Sequence, residues 1–229
     1  LGYADACHRE SSGRFDVTSG ALRRAWDFRR DPPRVPDARE IDALLPLVDW
    51  GGVEWNGHAI RLPRSGMEID FGGIGKEYAA DRAAAIAIAA GIAHGFVNLA
   101  GDVRVWGGRP EGAPWRVGIR HPRIEGETIG GIEIADGAVA TSGDYERCFE
   151  VDGRRYSHLL DATTGWPVQG WRSVSVAAPL CVVAGSGATV GMLLGDEAPA
   201  WLDAQGVDWL GVDAAGHIRK PGDPRKPSA

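Results

Sequence analysis

From about residue 96 to residue 176 the chain alternates short β-like runs with turns of Gly, Asp and Asn, and this punctuation constrains the fold more than any other feature. Such a stretch folds as short strands that double back on one another, so the sheet is mostly antiparallel. Asp152-Gly153 between CFEV and RRYSHLL is a tight-hairpin signal, because both residues tolerate the positive φ that two-residue turns need. Asn56-Gly57, between Val53-Glu54-Trp55 and Ala59-Ile60-Arg61-Leu62, is a second. Helical patterns stand on either side. Pro36 and Asp37 introduce a helix through about residue 48, and a short strand over residues 67–69 leads into the longest helix, 73–90, ended by Gly91. An apolar, glycine-containing helix over 181–194 stops at Gly195, a shorter one covers 198–205, and strands follow at 209–212 and 217–219. Residues 29–36 and 221–229 read as a loop and a frayed tail. The order predicts a mixed α+β layer structure, with residues 1–229 as one domain.

Composition narrows the function classes. The 229 residues, 44% of them hydrophobic, suffice for a sizeable core. A net charge of −6 with acids and bases interspersed offers no basic face to neutralise phosphates, so nucleic acid is not an expected partner. Cys7, Cys148 and Cys181 are odd in number, widely spaced and without a CxxC pair, which argues against a disulfide framework and a zinc knuckle. No run of about 18 apolar residues suggests a membrane span. The chain opens at Leu1 with no signal-like stretch, so an upstream segment is expected to be missing.

Four segments carry possible chemistry. Asp70-Phe71-Gly72-Gly73-Ile74-Gly75-Lys76 reads as a strand end, a glycine turn and a helix start. Its N–H groups, glycines and lysine suit a phosphate, although an ordinary strand-to-helix turn has the same letters. Asn98 to Asp102 either orients a ligand or closes a turn. The segments ATSGDY (140–145) and YSHLLDATTG (156–165) carry Ser157, His158 and Asp161 into a turn at Thr163, Thr164 and Gly165. His158 and Asp161, three residues apart, suit proton abstraction or metal binding, the alternative being a structural histidine. AGSGAT (184–189) begins the apolar helix with small residues that let something large approach, and Ser186 and Thr189 offer oxygens there.

Taken in order, these segments resemble the ApbE family of FAD:protein FMN transferases. The matching blocks are SSGRFDVTSGAL (11–22), MEIDFGGIGKEYAADR (67–82), FVNLAGDVRVWG (96–107), VATSGDYER (139–147), RRYSHLLDATTGWPV (154–168) and SVSVAAPLCVVAGSGATVGMLLG (173–195). The resemblance implies an ApbE-like, T-fold-related α+β architecture of largely antiparallel sheets packed with helices, short of the family's N-terminal segment. It places FAD contacts on Arg14, Phe15, Asp16, Asp70, Lys76 and Leu159, near His158. It places Mg²⁺ ligands on a Gly73 backbone oxygen and on an Ala-Asp-Ala-Leu-Ala-Thr block. That block here keeps the Ala188 carbonyl and Thr189 but has Gly185 where the aspartate stands. Magnesium prefers hard oxygens and a carboxylate, so the loss should weaken the site unless a nearby carboxylate such as Asp144 or Asp161 replaces it.

The implied reaction moves FMN from FAD onto a threonine of an acceptor protein that bears a flavinylation motif, with His158 or Asp161 accepting the hydroxyl proton. The alternatives are a FAD-binding protein of weak or no activity, and a FAD pyrophosphatase. A further one makes Thr189 itself the flavinylated residue. The resemblance favours the bacterial cell envelope, with membrane association only through a missing signal or lipid anchor.

Overall fold

The computed structural model describes residues 1–223; the last six residues of the expected tail lie outside the described part. The chain divides into two compact units, Leu1–Gly72 with Glu146–Val168, and Gly73–Tyr145 with Gln169 onward. Helices and strands are numbered along the chain.

The first unit opens with helix α1 (Gly2–Glu10), for which the sequence gives no clear signal. Its buried side chains are Ala4 and Cys7, too small to make an apolar stripe that stands out. Helix α2 (Ala38–Leu44) begins where Pro36-Asp37 predicts. The Asp37 side chain accepts from the Arg39 and Glu40 N–H groups, and Glu40 reaches back to the Asp37 N–H, a reciprocal cap. Strands β1 (Glu54–Trp55) and β2 (Ile60–Arg61) form the hairpin expected at Asn56-Gly57. Residues 67–69 form no strand; only a single parallel bridge joins Ser19 to Glu68. The late hairpin β8 (Cys148–Val151) and β9 (Arg154–Ser157) turns through Asp152 and Gly153, both at positive φ (52° and 73°), the conformation their sequence predicts. The core is aromatic. Trp26 stacks on Phe28, Phe149 and Tyr156, meets Trp166 edge-on and donates its indole N–H to the Gly165 carbonyl at 2.8 Å.

The second unit is built on α3 (Gly75–Ala89), β3 (Gly95–Leu99), β4 (Asp102–Trp106), β5 (Trp115–Arg120), β6 (Thr128–Ile134) and β7 (Gly137–Gly143). After the excursion into the first unit it resumes with β10 (Trp171–Ala178), α4 (Cys181–Leu194), α5 (Ala198–Ala204), β11 (Asp208–Asp213) and β12 (Ile218–Arg219). Six strands form one antiparallel sheet in the order β12-β11-β10-β7-β4-β3, and β5 pairs with β6. The expected mixed architecture of helices and antiparallel sheet therefore forms. Helix α3 starts two residues later than predicted, because Gly73 lies at φ 82° and Ile74 is not yet helical. It ends as predicted: Gly91 is at φ 85°, and the Gly91 and Ile92 N–H groups close onto the Ile88 and Ala87 carbonyls.

Helix α4 is buried from Ala184 to Leu194 and packs on β7, β10 and α3. The approach expected at its small residues is made by the protein itself. A Cβ on Gly187 or Gly191 would touch Val176 or Val174 of β10, so the glycines bring the helix down onto the sheet. Ser186 and Thr189 lie in the second and third turns of α4, not at its N-terminus as expected. That end belongs to Cys181 and Val182.

Candidate functional site

In the first unit the expected FAD-binding residues form one hydrogen-bonded patch. The chain leaves α1 through Ser12 and Gly13, both at positive φ, and the Phe15 N–H donates to Ser11 Oγ at 2.9 Å. Phe15 is buried. Asp16 is buried too: Oδ1 accepts the Thr18 N–H (2.7 Å) and O–H (2.6 Å), Oδ2 accepts the Trp50 N–H (3.1 Å), and His8 Nδ1 stands 3.4 Å from Oδ2. Its carboxylate thus ties separate segments of this unit together. The Asp70 N–H donates to the Val17 carbonyl (2.7 Å), which places Asp70 beside that loop. Asp70 Oδ1 accepts the Gly72 N–H (2.8 Å), and Oδ2 accepts from Arg23 Nη1 (2.6 Å). Arg23 also pairs with Glu68, and that pairing holds its guanidinium above its ordinary pKa. Neither His8 nor Arg23 stands out in the sequence, where each is one charged residue among many.

The predicted SHLLD turn joins the same patch. Arg14 Nε is 3.9 Å from Asp161 Oδ2, and the Arg14 carbonyl accepts the Ala162 N–H at 3.0 Å. Asp161 Oδ1 accepts the Thr163 N–H (2.8 Å) and O–H (2.6 Å), while its carbonyl accepts the Gly165 N–H (2.7 Å). Half of that carboxylate is therefore engaged in shaping the turn. His158 is half-buried, with its main-chain N–H donated to the Arg147 carbonyl (2.9 Å), and Leu159 is buried with its carbonyl accepting the Val168 N–H.

In the second unit Asn98 and Asp102 part company. The Asn98 side chain accepts the Gly101 N–H at 2.9 Å and closes the β3–β4 turn, with Ala100 and Gly101 at positive φ. Asp102 is buried and lies 2.8 Å from Lys76 Nζ. Beside them stands Glu77, in the first turn of α3 and only 4% exposed. Burial pushes its carboxyl up to about 7; its own backbone N–H acts in the opposite direction, and a hydrogen bond with Asp102 adds to the rise. Glu77 Oε2 is buried with no hydrogen-bond partner among the described residues.

Glu77 also accounts for the glycine at 185. A Cβ built on Gly185 would fall deep inside the van der Waals shell of Glu77 Cγ, and 3.0 Å and 3.1 Å from its Cδ and Oε1. The space in front of α4 at this point is filled by the glutamate of α3. Thr189, one turn further along the same face, is 9% exposed and within 2.9 Å of Ser142 Oγ. The Ala188 carbonyl lies inside the helix, where it accepts the N–H four residues on and offers only its second lone pair. Asp144 is held by both terminal nitrogens of Arg123 at 2.7 and 2.6 Å. The carboxylate against position 185 is therefore Glu77.

The two buried carboxylates, one of them with an unpartnered oxygen, are hard oxygen donors of the kind that a divalent cation such as Mg²⁺ takes. Among the described residues no group of three or more His, Cys, Asp and Glu side chains is arranged to hold a metal. A site of this kind completes its shell with water and substrate phosphate, as magnesium commonly does.

Antiparallel sheet with a buried helix, and an acid pair beside a lysine at a glycine turn, make this an α+β protein with a polar cluster at the start of α3. The ApbE family model matches residues 1–210, and the chain belongs to the ApbE family. It is similar to the FAD:protein FMN transferase of Vibrio cholerae serotype O1, 34% identical over 191 residues, which are 82% of this chain and 57% of that protein. It is similar also to that of Rhodobacter capsulatus, 34% identical over 223 residues, 95% of this chain and 41% of that protein. The chain thus spans about half the length of these relatives. The solved ApbE protein of Thermotoga maritima matches with a TM-score of 0.88 at 36% identity, over 96% of this chain and 74% of that one.

Proposed function

We propose that the protein is a Mg²⁺-dependent FAD:protein FMN transferase. The observation that carries this reading is the unpartnered Glu77 oxygen in a carboxylate pair beside Lys76, in a chain whose family match runs through residue 210. The acceptor threonine Oγ attacks the FMN-side phosphorus of FAD, the new O–P bond forms, the pyrophosphate bond to the AMP half breaks, and AMP leaves. The hydroxyl proton passes to a base. The Thr189 hydroxyl and the buried acids beside Lys76 would hold a magnesium ion, which would supply positive charge to offset that on the pyrophosphate.

The residues divide the remaining work. Gly73 at φ 82° and the uncapped start of α3 offer main-chain groups to phosphate, and Lys76 adds a full positive charge. Arg14, Phe15, Asp16, Asp70 and Leu159 shape and hold the FAD wall in the first unit, mostly through the backbone they fix. Asp161 Oδ1 is already held by Thr163, so His158 is the first base to test.

The test incubates the protein with FAD, Mg²⁺ and a peptide bearing the acceptor threonine motif. A mass gain of one FMN on the peptide supports transfer. AMP release with no mass gain means that water is the acceptor, and FAD retained without turnover means a binding protein; either result overturns the transferase reading.

A further inference from the structure

We propose that in this chain the metal-binding carboxylate has moved from α4 to α3: Glu77, seated in the space that a side chain at Gly185 would fill, is the protein's carboxylate ligand to the divalent cation. This deepens the transferase reading and rests on it.

Three observations support the assignment. Gly185 has no side chain to offer, and the volume in front of it is occupied by Glu77 Cγ, Cδ and Oε1. A carboxylate entering from the neighbouring helix therefore arrives where one from position 185 would have started. Secondly, Glu77 is 4% exposed while its Oε2 has no partner among the described residues. Buried polar atoms are nearly always paired, and an unpaired carboxylate oxygen is costly, so such an atom points to a ligand. Thirdly, the surroundings supply what a hard cation needs next. Thr189 Oγ1 lies one helical turn beyond Gly185 on the same face, and Asp102 is a second buried acid. Lys76 is paired to Asp102, so its positive charge is engaged by the other acid of the pair. The competing account is that Glu77 and Asp102 share a proton permanently and hold no metal.

The experiment uses the full chain and Mn²⁺, an oxygen-seeking stand-in for Mg²⁺. Binding is followed by electron paramagnetic resonance and by calorimetry, with and without inorganic pyrophosphate. Glu77→Gln keeps the shape and removes the charge. Losing a direct ligand should weaken Mn²⁺ binding by at least the roughly 10-fold that a disturbed supporting residue costs. Gly185→Asp alone collides with Glu77 and does not tighten binding, whereas the exchange Glu77→Ala with Gly185→Asp brings affinity back to within a few-fold of the wild type. Melting curves establish that each variant is folded.

Wild-type Mn²⁺ affinity in folded Glu77→Gln would overturn the assignment, as would a wild-type protein that takes up no Mn²⁺ under either condition. The two readings fail separately. Transfer of FMN with Mn²⁺ binding untouched by Glu77→Gln sinks the ligand and leaves the function. Mn²⁺ held through Glu77 with no FMN transferred sinks the function and leaves the ligand.

Discussion

Asp81 on α3 caps α4 from outside: its Oδ1 accepts the Cys181 N–H at 2.8 Å and its Oδ2 accepts the Val182 N–H at 2.9 Å. Helix α4 has no side-chain cap of its own at Leu180, so these two bonds satisfy donors that would otherwise be orphaned in a packed setting. The negative charge also faces the positive end of the helix dipole.

Asp81→Ala is expected to destabilise the protein by about 2 kcal/mol, the upper end for loss of an N-cap, because two N–H groups are released together. Arg104, 3.5 Å from Asp81, keeps Asp136 at 3.0 Å and so is not stranded. Urea unfolding measures the loss. A change within a few tenths of a kcal/mol would mean that water caps α4 as well as Asp81 does.

Gly185→Ala tests the contact beneath the candidate metal site without any metal. The added Cβ meets Glu77 near its stem, where the side chain has little freedom to yield, and overpacking of this kind costs about 1–3 kcal/mol. In the Glu77→Ala background the same substitution should be close to neutral. A double-mutant cycle reads that coupling directly, and additive effects would show that the two residues do not share the space.

The turns and both long helices are legible in the sequence because their punctuation is chemical. Asp152-Gly153 and Gly91 adopt the positive φ for which their residue types are suited, and Gly195 ends α4 at φ 55°. The site is only half legible. Asp102 stands in a run that reads first as a turn, and only the fold separates its role from that of Asn98. Glu77 is hidden for a different reason: a glutamate in the first turn of a helix reads as a surface residue placed for the dipole. Its burial follows from a glycine 108 positions later, a relationship that no local pattern encodes. Residues 67–69 are apolar and polar in strand-like alternation, yet find only one bridging partner at Ser19, because pairing is a property of the neighbour as well as of the run.

Cys181 should be inert as a nucleophile in the folded protein. Burial, followed by the negative charges of Asp102, Asp81 and Glu77, pushes its thiol up to about 12. The folded state therefore holds this proton more tightly than the unfolded chain, whose thiol titrates near its ordinary value of 9.0. The associated stability is complete below that value and is lost as pH rises from there towards 12. Iodoacetamide at pH 8.5 should modify the partly exposed Cys148 well before Cys181, which labels only when urea unfolds the chain. Peptide mass mapping gives the order, and early modification of Cys181 would show the site open.

Trp26→Ala should be among the most damaging single changes in the first unit. The indole is 2% exposed and central to the aromatic cluster, and removing a buried aromatic side chain costs about 3–5 kcal/mol. Trp26→Phe separates packing from hydrogen bonding, since it keeps a ring but strips the Gly165 carbonyl of its donor, for about 1–3 kcal/mol. Near-ultraviolet circular dichroism with urea unfolding distinguishes the two variants; equal losses would assign the whole effect to the hydrogen bond.

Lys76→Met addresses the ion pair at the start of α3. Asp102 is almost wholly buried, while the lysine side chain is 40% exposed, so the two partners do not lose equally when the pair is broken. Without Lys76 the acid keeps its burial and loses its countercharge. Removing one member of a fully buried pair costs 3–5 kcal/mol; with one partner in solvent the expectation falls to about 2 kcal/mol. Asp102→Asn in the same chain should recover most of that loss, because the uncompensated charge is then gone. FAD affinity separates the lysine's two roles. The double variant regains stability but not nucleotide binding if Lys76 serves the pyrophosphate, whereas recovery of both would make the lysine purely a structural counterion to Asp102.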